Sequence, residues 1–137
     1  MKRILSVVLV LLLLSSVLVP VSANTDDNSM SPRFTYISKV STNVSIDQSI
    51  GLATCTAVTR ADGVASIKLI CRLQQKKDGA WVTIKSWSDT GTQQAGLAKQ
   101  YAVYSGYSYR TYVTSYVYNA AGTLLETASC YSNAQYY

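Results

Sequence analysis

The chain has 137 residues, 12 basic and seven acidic side chains, no histidine at all, and Glu126 as its one glutamate. Histidine is the commonest general base near neutral pH and the commonest metal ligand, so a Ser-His-Asp or Cys-His site cannot be assembled within this chain. A paired-carboxylate hydrolase would rest on the six aspartates, of which Asp62, Asp78 and Asp89 sit beside Gly or Thr, where turn chemistry accounts for them.

The N-terminus opens with Lys2 and Arg3, an apolar run from Ile4 to about Val19, then Pro20 and Val21-Ser22-Ala23. A positive end, a short apolar core and a small-residue cleavage pattern predict a secretory signal peptide over 1–23. No cysteine follows the cleavage site, and no later run is long enough to span a bilayer. The expectation is a secreted, extracellular product with no stable membrane insertion. Without Lys2 and Arg3 the chain keeps ten basic and seven acidic residues, a net charge of +3. That is too mild to argue for nucleic acid, and the basic residues alternate with apolar ones, as on a solvated strand face.

Residues 24–32 are polar and acidic and read as a disordered tail. From Arg33 to Tyr137 one domain is expected, all strand and no helix. Val, Ile, Thr and Tyr dominate, and turn residues recur about every ten positions, the pattern of an all-β sandwich or barrel. The first strand spans about 34–46 and the second about 50–59, before a turn at Asp62-Gly63. The third, about 64–75, sets Ile67, Leu69, Cys71 and Leu73 on one face and Lys68, Ile70, Arg72 and Gln74 on the other. Lys77-Asp78-Gly79 predicts a hairpin into a fourth strand at about 80–87. A Thr/Gly/Gln loop leads to a fifth at about 96–104. The sixth is 107–118, and Asn119 to Gly122 turns into the seventh, about 123–133.

Ten of the 11 tyrosines fall between Tyr101 and Tyr137. In the sixth strand Gly106 precedes Tyr109 by three residues, and Thr111, Val113, Ser115 and Val117 alternate after it. This pattern resembles immunoglobulin-like and fibronectin type III-like domains, in which such a tyrosine forms a corner, its hydroxyl bonded to backbone a few residues upstream. The resemblance implies a seven-stranded immunoglobulin-like antiparallel β-sandwich. The chain is also similar to an uncharacterised family of small secreted proteins from Gram-positive bacteria, through Ser31-Pro32-Arg33-Phe34, Leu73 with Lys76-Lys77 and Gly79 before Trp81, Lys85-Ser86-Trp87, and Gly106-Tyr107 with Tyr109-Arg110. That resemblance implies export and the sandwich, and assigns no site.

If Val113 and Val117 point inward, the period of two turns Arg110, Tyr112, Thr114, Tyr116 and Tyr118 outward. Arg110, Tyr112, Tyr116 and Tyr118 are therefore the candidate ligand-binding residues, since each ring offers an apolar face and a polar tip. The competing reading is that Tyr is a good strand former packed on its cross-strand neighbours. The same alternation puts Trp81 and Trp87 together on the face opposite Val82.

Cys55 and Cys71 stand eight residues to either side of Gly63, both in the inward phase. A Cys55–Cys71 disulfide is the expected pairing, closing a loop of about 15 residues for roughly 3 kcal/mol in the chain-entropy model. Cys130 shares the phase of Glu126 and is expected to point outward. No catalytic residue, metal site or cofactor is assigned. The function expected is a small secreted binding module for cell-wall glycan or another extracellular protein. The alternatives are a self-associating matrix protein and a secreted antimicrobial or toxin-like protein.

Overall fold

The structure is a computed structural model that describes residues 33–137. The expected signal peptide and polar tail lie outside the described residues. Eight strands follow in chain order: β1 Ile37–Asp47, β2 Leu52–Ala61, β3 Ser66–Lys77, β4 Ala80–Gly91, β5 Gln94–Ala102, β6 Ser108–Tyr118, β7 Leu124–Tyr131 and β8 Gln135–Tyr136. One antiparallel sheet has the order β1-β2-β5, and the other β4-β3-β6-β7. After β7 the chain resumes as β8, which pairs with Ser108 and Tyr109 of β6.

The two sheets meet face to face over one period-two pattern. Ile67, Leu69, Cys71 and Leu73 of β3, with Tyr109, Val113 and Val117 of β6, are fully buried. Opposite them β2 supplies the smaller Ala53, Cys55, Ala57 and Ala61, so large side chains from one layer fill space left by small ones from the other. Two hydroxyl pairs cross between the layers: Thr59 with Ser115 at 2.5 Å and Thr42 with Thr111 at 2.8 Å. These pairings let polar residues occupy inward positions without the cost of an unpartnered buried group.

The Asp78-Gly79 hairpin forms as expected, with positive φ at both residues, 49° and 80°, the geometry that matches the right-handed twist of the flanking strands. The predicted loop between the fourth and fifth strands contracts to Thr92 and Gln93, because β4 runs on to Gly91 and β5 begins at Gln94. Asp89 is thus a strand residue and not a turn residue. Its carboxylate accepts the Gly96 N–H at 2.8 Å, tying the end of one sheet to the start of the other.

Two expected orientations change. Gln74 pairs with Thr83 while Leu73 pairs with Lys85, leaving a bulge at Ile84. An extra residue reverses the facing of everything beyond it, so Trp81 and Trp87 point to opposite sides. Cys130 pairs with Val113, an inward residue, and packs against the core instead of pointing outward. The reason is register: Glu126, Ala128 and Cys130 share one phase and lie opposite the buried Val117, Ser115 and Val113, so the side on which Glu126 stands is the inner one.

The expected Cys55–Cys71 disulfide is also absent: all three cysteines are free thiols. Both residues do point inward, but β2 and β3 belong to different sheets and never pair. Symmetry about Gly63 therefore sets no hairpin register. Both side chains enter the space between the layers, where the thiols stand unbonded.

Candidate functional site

Arg110, Tyr112, Tyr116 and Tyr118 all lie on the outer face of the five-stranded sheet, each half-buried. They occupy the centre of that face because β6 is flanked by β3 on one side and β7 on the other. Thr114, between them, is buried to 6 % exposure by its neighbours. The row is therefore a packed surface and not a set of free side chains.

The packing is made of rings and cations. Tyr112 pairs with Arg72 on β3 and with Tyr131 on β7. The rings of Tyr112 and Tyr131 stack with centroids 4.4 Å apart and 18° between planes. The Arg110 guanidinium lies over Tyr131 at 4.1 Å from the ring centroid and over Trp81 at 4.3 Å. Its Nε donates to Gln74 Oε1 at 2.9 Å, which fixes its plane. Arg72 sits over Tyr112 at 5.7 Å and Lys76 over Trp81 at 5.9 Å. The result is a continuous ladder from Lys76 and Trp81 on one edge, through Arg110, to Tyr131, Tyr112 and Arg72. Arginine suits this place because its flat, weakly hydrated cation stacks on aromatic faces while keeping its in-plane donors.

Among the described residues no Asp or Glu side chain belongs to this face. Asp89 is in phase with the inward Leu69, and Glu126 with the inward Val117. Asp47 bonds Ser49 in the β1–β2 turn, and Asp62 and Asp78 lie in turns. The Ser129 hydroxyl, then that of Thr114, draw the Tyr112 phenol below its ordinary pKa; burial opposes this and Arg72 adds to it.

Tyr131 and Trp81 were not among the sequence candidates, although they hold the two faces of Arg110. Their strand assignments were legible; the cross-strand partners and the bulge that turns Trp81 outward were not. Trp87, on the inner side, packs against the core and meets Tyr101 edge to face at 6.4 Å.

Elsewhere the chemistry is quieter. Burial pushes the Cys55 thiol up to about 12, with the neighbouring Cys71 adding to the shift, so neither behaves as a nucleophile at neutral pH. Among the described residues no group of three or more His, Cys, Asp or Glu could hold a metal ion. A cleft of about 360 Å³ opens beside Tyr101, Val103 and Tyr104, with Gln75 and Tyr109 among its lining residues. No carboxylate, thiol or histidine lines it, and Gln75 Nε2 is engaged with the Tyr109 hydroxyl at 3.0 Å.

Compared with protein-family models, with curated proteins and with solved structures, the chain matches none of them.

Proposed function

We propose that the chain is a small exported, non-enzymatic binding module with an immunoglobulin-like β-sandwich fold, and that the outer face of its five-stranded sheet is the contact surface for cell-wall glycan or another extracellular protein. Three features support the fold reading. The order β1-β2-β5 facing β4-β3-β6-β7 is compatible with the three-plus-four arrangement of fibronectin type III-like domains. The Tyr109 hydroxyl bonds the backbone of Tyr104, five residues upstream, as in a tyrosine corner. The resemblance to small secreted proteins of Gram-positive bacteria, and the N-terminal pattern of charge, apolar run and small residues, support export.

One observation carries the binding reading: the Arg110 guanidinium held between Trp81 and Tyr131. Aromatic and arginine side chains fixed in place before a partner arrives lose little entropy on contact, and they dominate binding hot spots for that reason. The test is retention of purified protein on cell-wall fractions and on immobilised extracellular protein. Tyr116→Ala and Tyr118→Ala, each with its fold checked by circular dichroism, are expected to release the protein by roughly tenfold or more, a loss within the 1–3 kcal/mol typical of an interface anchor. Unchanged retention by both variants would overturn the assignment of this face.

A second reading, self-association through strand edges, is favoured by β5. Its nine residues pair on one side only, contain no proline and carry Lys99 as their one charge, and such edges invite further pairing. Sedimentation across a concentration series separates the readings: a monomer that binds wall material supports the first.

A further inference from the structure

We infer that the outer face of the five-stranded sheet takes a linear acidic polysaccharide, whose carboxylate or sulfate groups lie along a track of four cations. This rests on the proposed contact face and names its ligand class. Lys68, Arg72 and Lys76 recur every fourth residue on β3, all in the outward phase. At the strand rise of about 3.3–3.4 Å per residue they span roughly 27 Å. Arg110, opposite Gln74, fills the interval between Arg72 and Lys76. With every carboxylate of the described residues turned inward or held in a turn, the charge of this face is unopposed.

The neutral part of the face fits a sugar chain. Thr83, Ser86 and Ser88 on β4, with Thr127 and Ser129 on β7, flank the track in the outward phase and offer hydroxyls to ring hydroxyls. A single-stranded nucleic acid needs free aromatic faces for base stacking. Here the Tyr112 and Tyr131 rings stack on each other and Arg110 covers one face of Tyr131 and of Trp81. Of the aromatic rings, Tyr116 and Tyr118 are left without a stacking partner, and two rings beside spaced point charges and hydroxyls match an acidic glycan better than a run of stacked bases.

The experiment titrates the protein with polygalacturonate, heparin, neutral dextran and oligodeoxythymidine at several salt concentrations. The expected result is binding to polygalacturonate or heparin that weakens steeply with salt, and none to dextran. Lys68 and Lys76 are exposed and are the natural probes. Lys68→Gln with Lys76→Gln is expected to lower that affinity at least tenfold at low salt and to flatten the salt dependence, because fewer counterions are released. Melting temperature controls for folding. Dextran bound as well as the acidic polymers, with no effect of the lysine pair, would overturn the polyanion inference while leaving the contact face standing. Tighter binding of oligodeoxythymidine would overturn the glycan assignment. No binding of any acidic polymer, with wall retention still lost in Tyr116→Ala, would refute this inference alone; no such binding together with unchanged retention in both tyrosine variants would refute the face itself.

Discussion

The Tyr109 hydroxyl donates to the Tyr104 carbonyl at 2.7 Å and accepts the Tyr104 N–H at 3.1 Å, closing the β5–β6 connection on itself. The Gln75 amide supplies the third bond, at 3.0 Å, which saturates one donor and two acceptor sites. Gly106 lies inside this loop at φ 89°, a conformation that glycine adopts without strain. Tyr109 is fully buried, so its ring and its hydroxyl contribute separately. Tyr109→Phe is expected to cost about 1–3 kcal/mol, the penalty of leaving buried partners unpaired, and Tyr109→Ala about 3–5 kcal/mol. Urea unfolding measures both; a Phe variant as stable as the native chain would show that the hydroxyl network contributes nothing.

Arg110 should matter to stability as well as to contact. Its guanidinium meets two rings and one amide oxygen, and a stacked cation is worth about 0.5–1 kcal/mol when exposed and nearer 2 when desolvated. Arg110→Ala is expected to cost about 1–2 kcal/mol. Arg110→Lys should recover only part of that, since an ammonium has no flat face to lay against Trp81 and Tyr131. A double-mutant cycle of Arg110→Ala with Trp81→Ala reads the coupling directly. A coupling near zero would mean that the stack is geometric coincidence.

Much of this fold is written in the period of two, and what is not written there is register. Alternation placed Val113 and Val117 inward and Tyr112, Tyr116 and Tyr118 outward, and the strands follow that phase. The same alternation gathers Lys68, Arg72 and Lys76 onto one face, where Arg110 joins them, so a mild net charge of +3 still leaves a local run of four cations. Trp81 and Trp87 were assigned to one side because no sequence signal marks the bulge at Ile84. Tyr131 gives no sign of meeting Arg110 until β6 and β7 are paired. Glu126 has a role that no local pattern reveals: its partners Thr35, Tyr36 and Ile37 are 89 to 91 residues away.

Those partners make Glu126 a clasp between the sheets. Its two carboxylate oxygens accept the N–H groups of Thr35, Tyr36 and Ile37 at 2.7, 3.1 and 2.8 Å, where β1 begins. Desolvation acts to raise its pKa, but the three N–H donors outweigh it and hold the carboxyl below its ordinary value. A lowered folded-state pKa contributes stability that is complete above the unfolded value, about 4.3, and is lost as pH falls through the folded value. Because the group is partly exposed, solvent screening limits the effect to the order of 1 kcal/mol. Glu126→Gln is therefore expected to be less stable than the native chain at pH 6–7, with the difference shrinking below about pH 4. A stability gap that stays constant down to pH 2.5, followed by thermal melting, would count against the clasp.

The three thiols should differ in reactivity in the order of their surroundings. Cys55 and Cys71 are fully buried. With its pKa near 12, Cys55 carries roughly one thiolate per ten thousand molecules at pH 8, against about a quarter for an ordinary exposed thiol. Burial also raises Cys71, though the Thr42 hydroxyl and the Arg72 charge pull against it. Cys130 is half-buried and is raised by burial alone, and it lies on β7 at the edge of the sheet. Access and thiolate fraction both favour it. With Ellman's reagent at pH 8 the folded protein is expected to label slowly, and at Cys130 first. Cys55 and Cys71 should react only at the rate of unfolding, and all three should titrate in urea without a reductant. A Cys55–Cys71 linked peptide in non-reducing maps, or fewer than three thiols in urea, would show that the sheets draw close enough to form the bond and that the core is not thiol-filled. Equal, rapid labelling of all three in native buffer would instead show that the two layers part more readily than their packing and the Thr59–Ser115 and Thr42–Thr111 pairs imply.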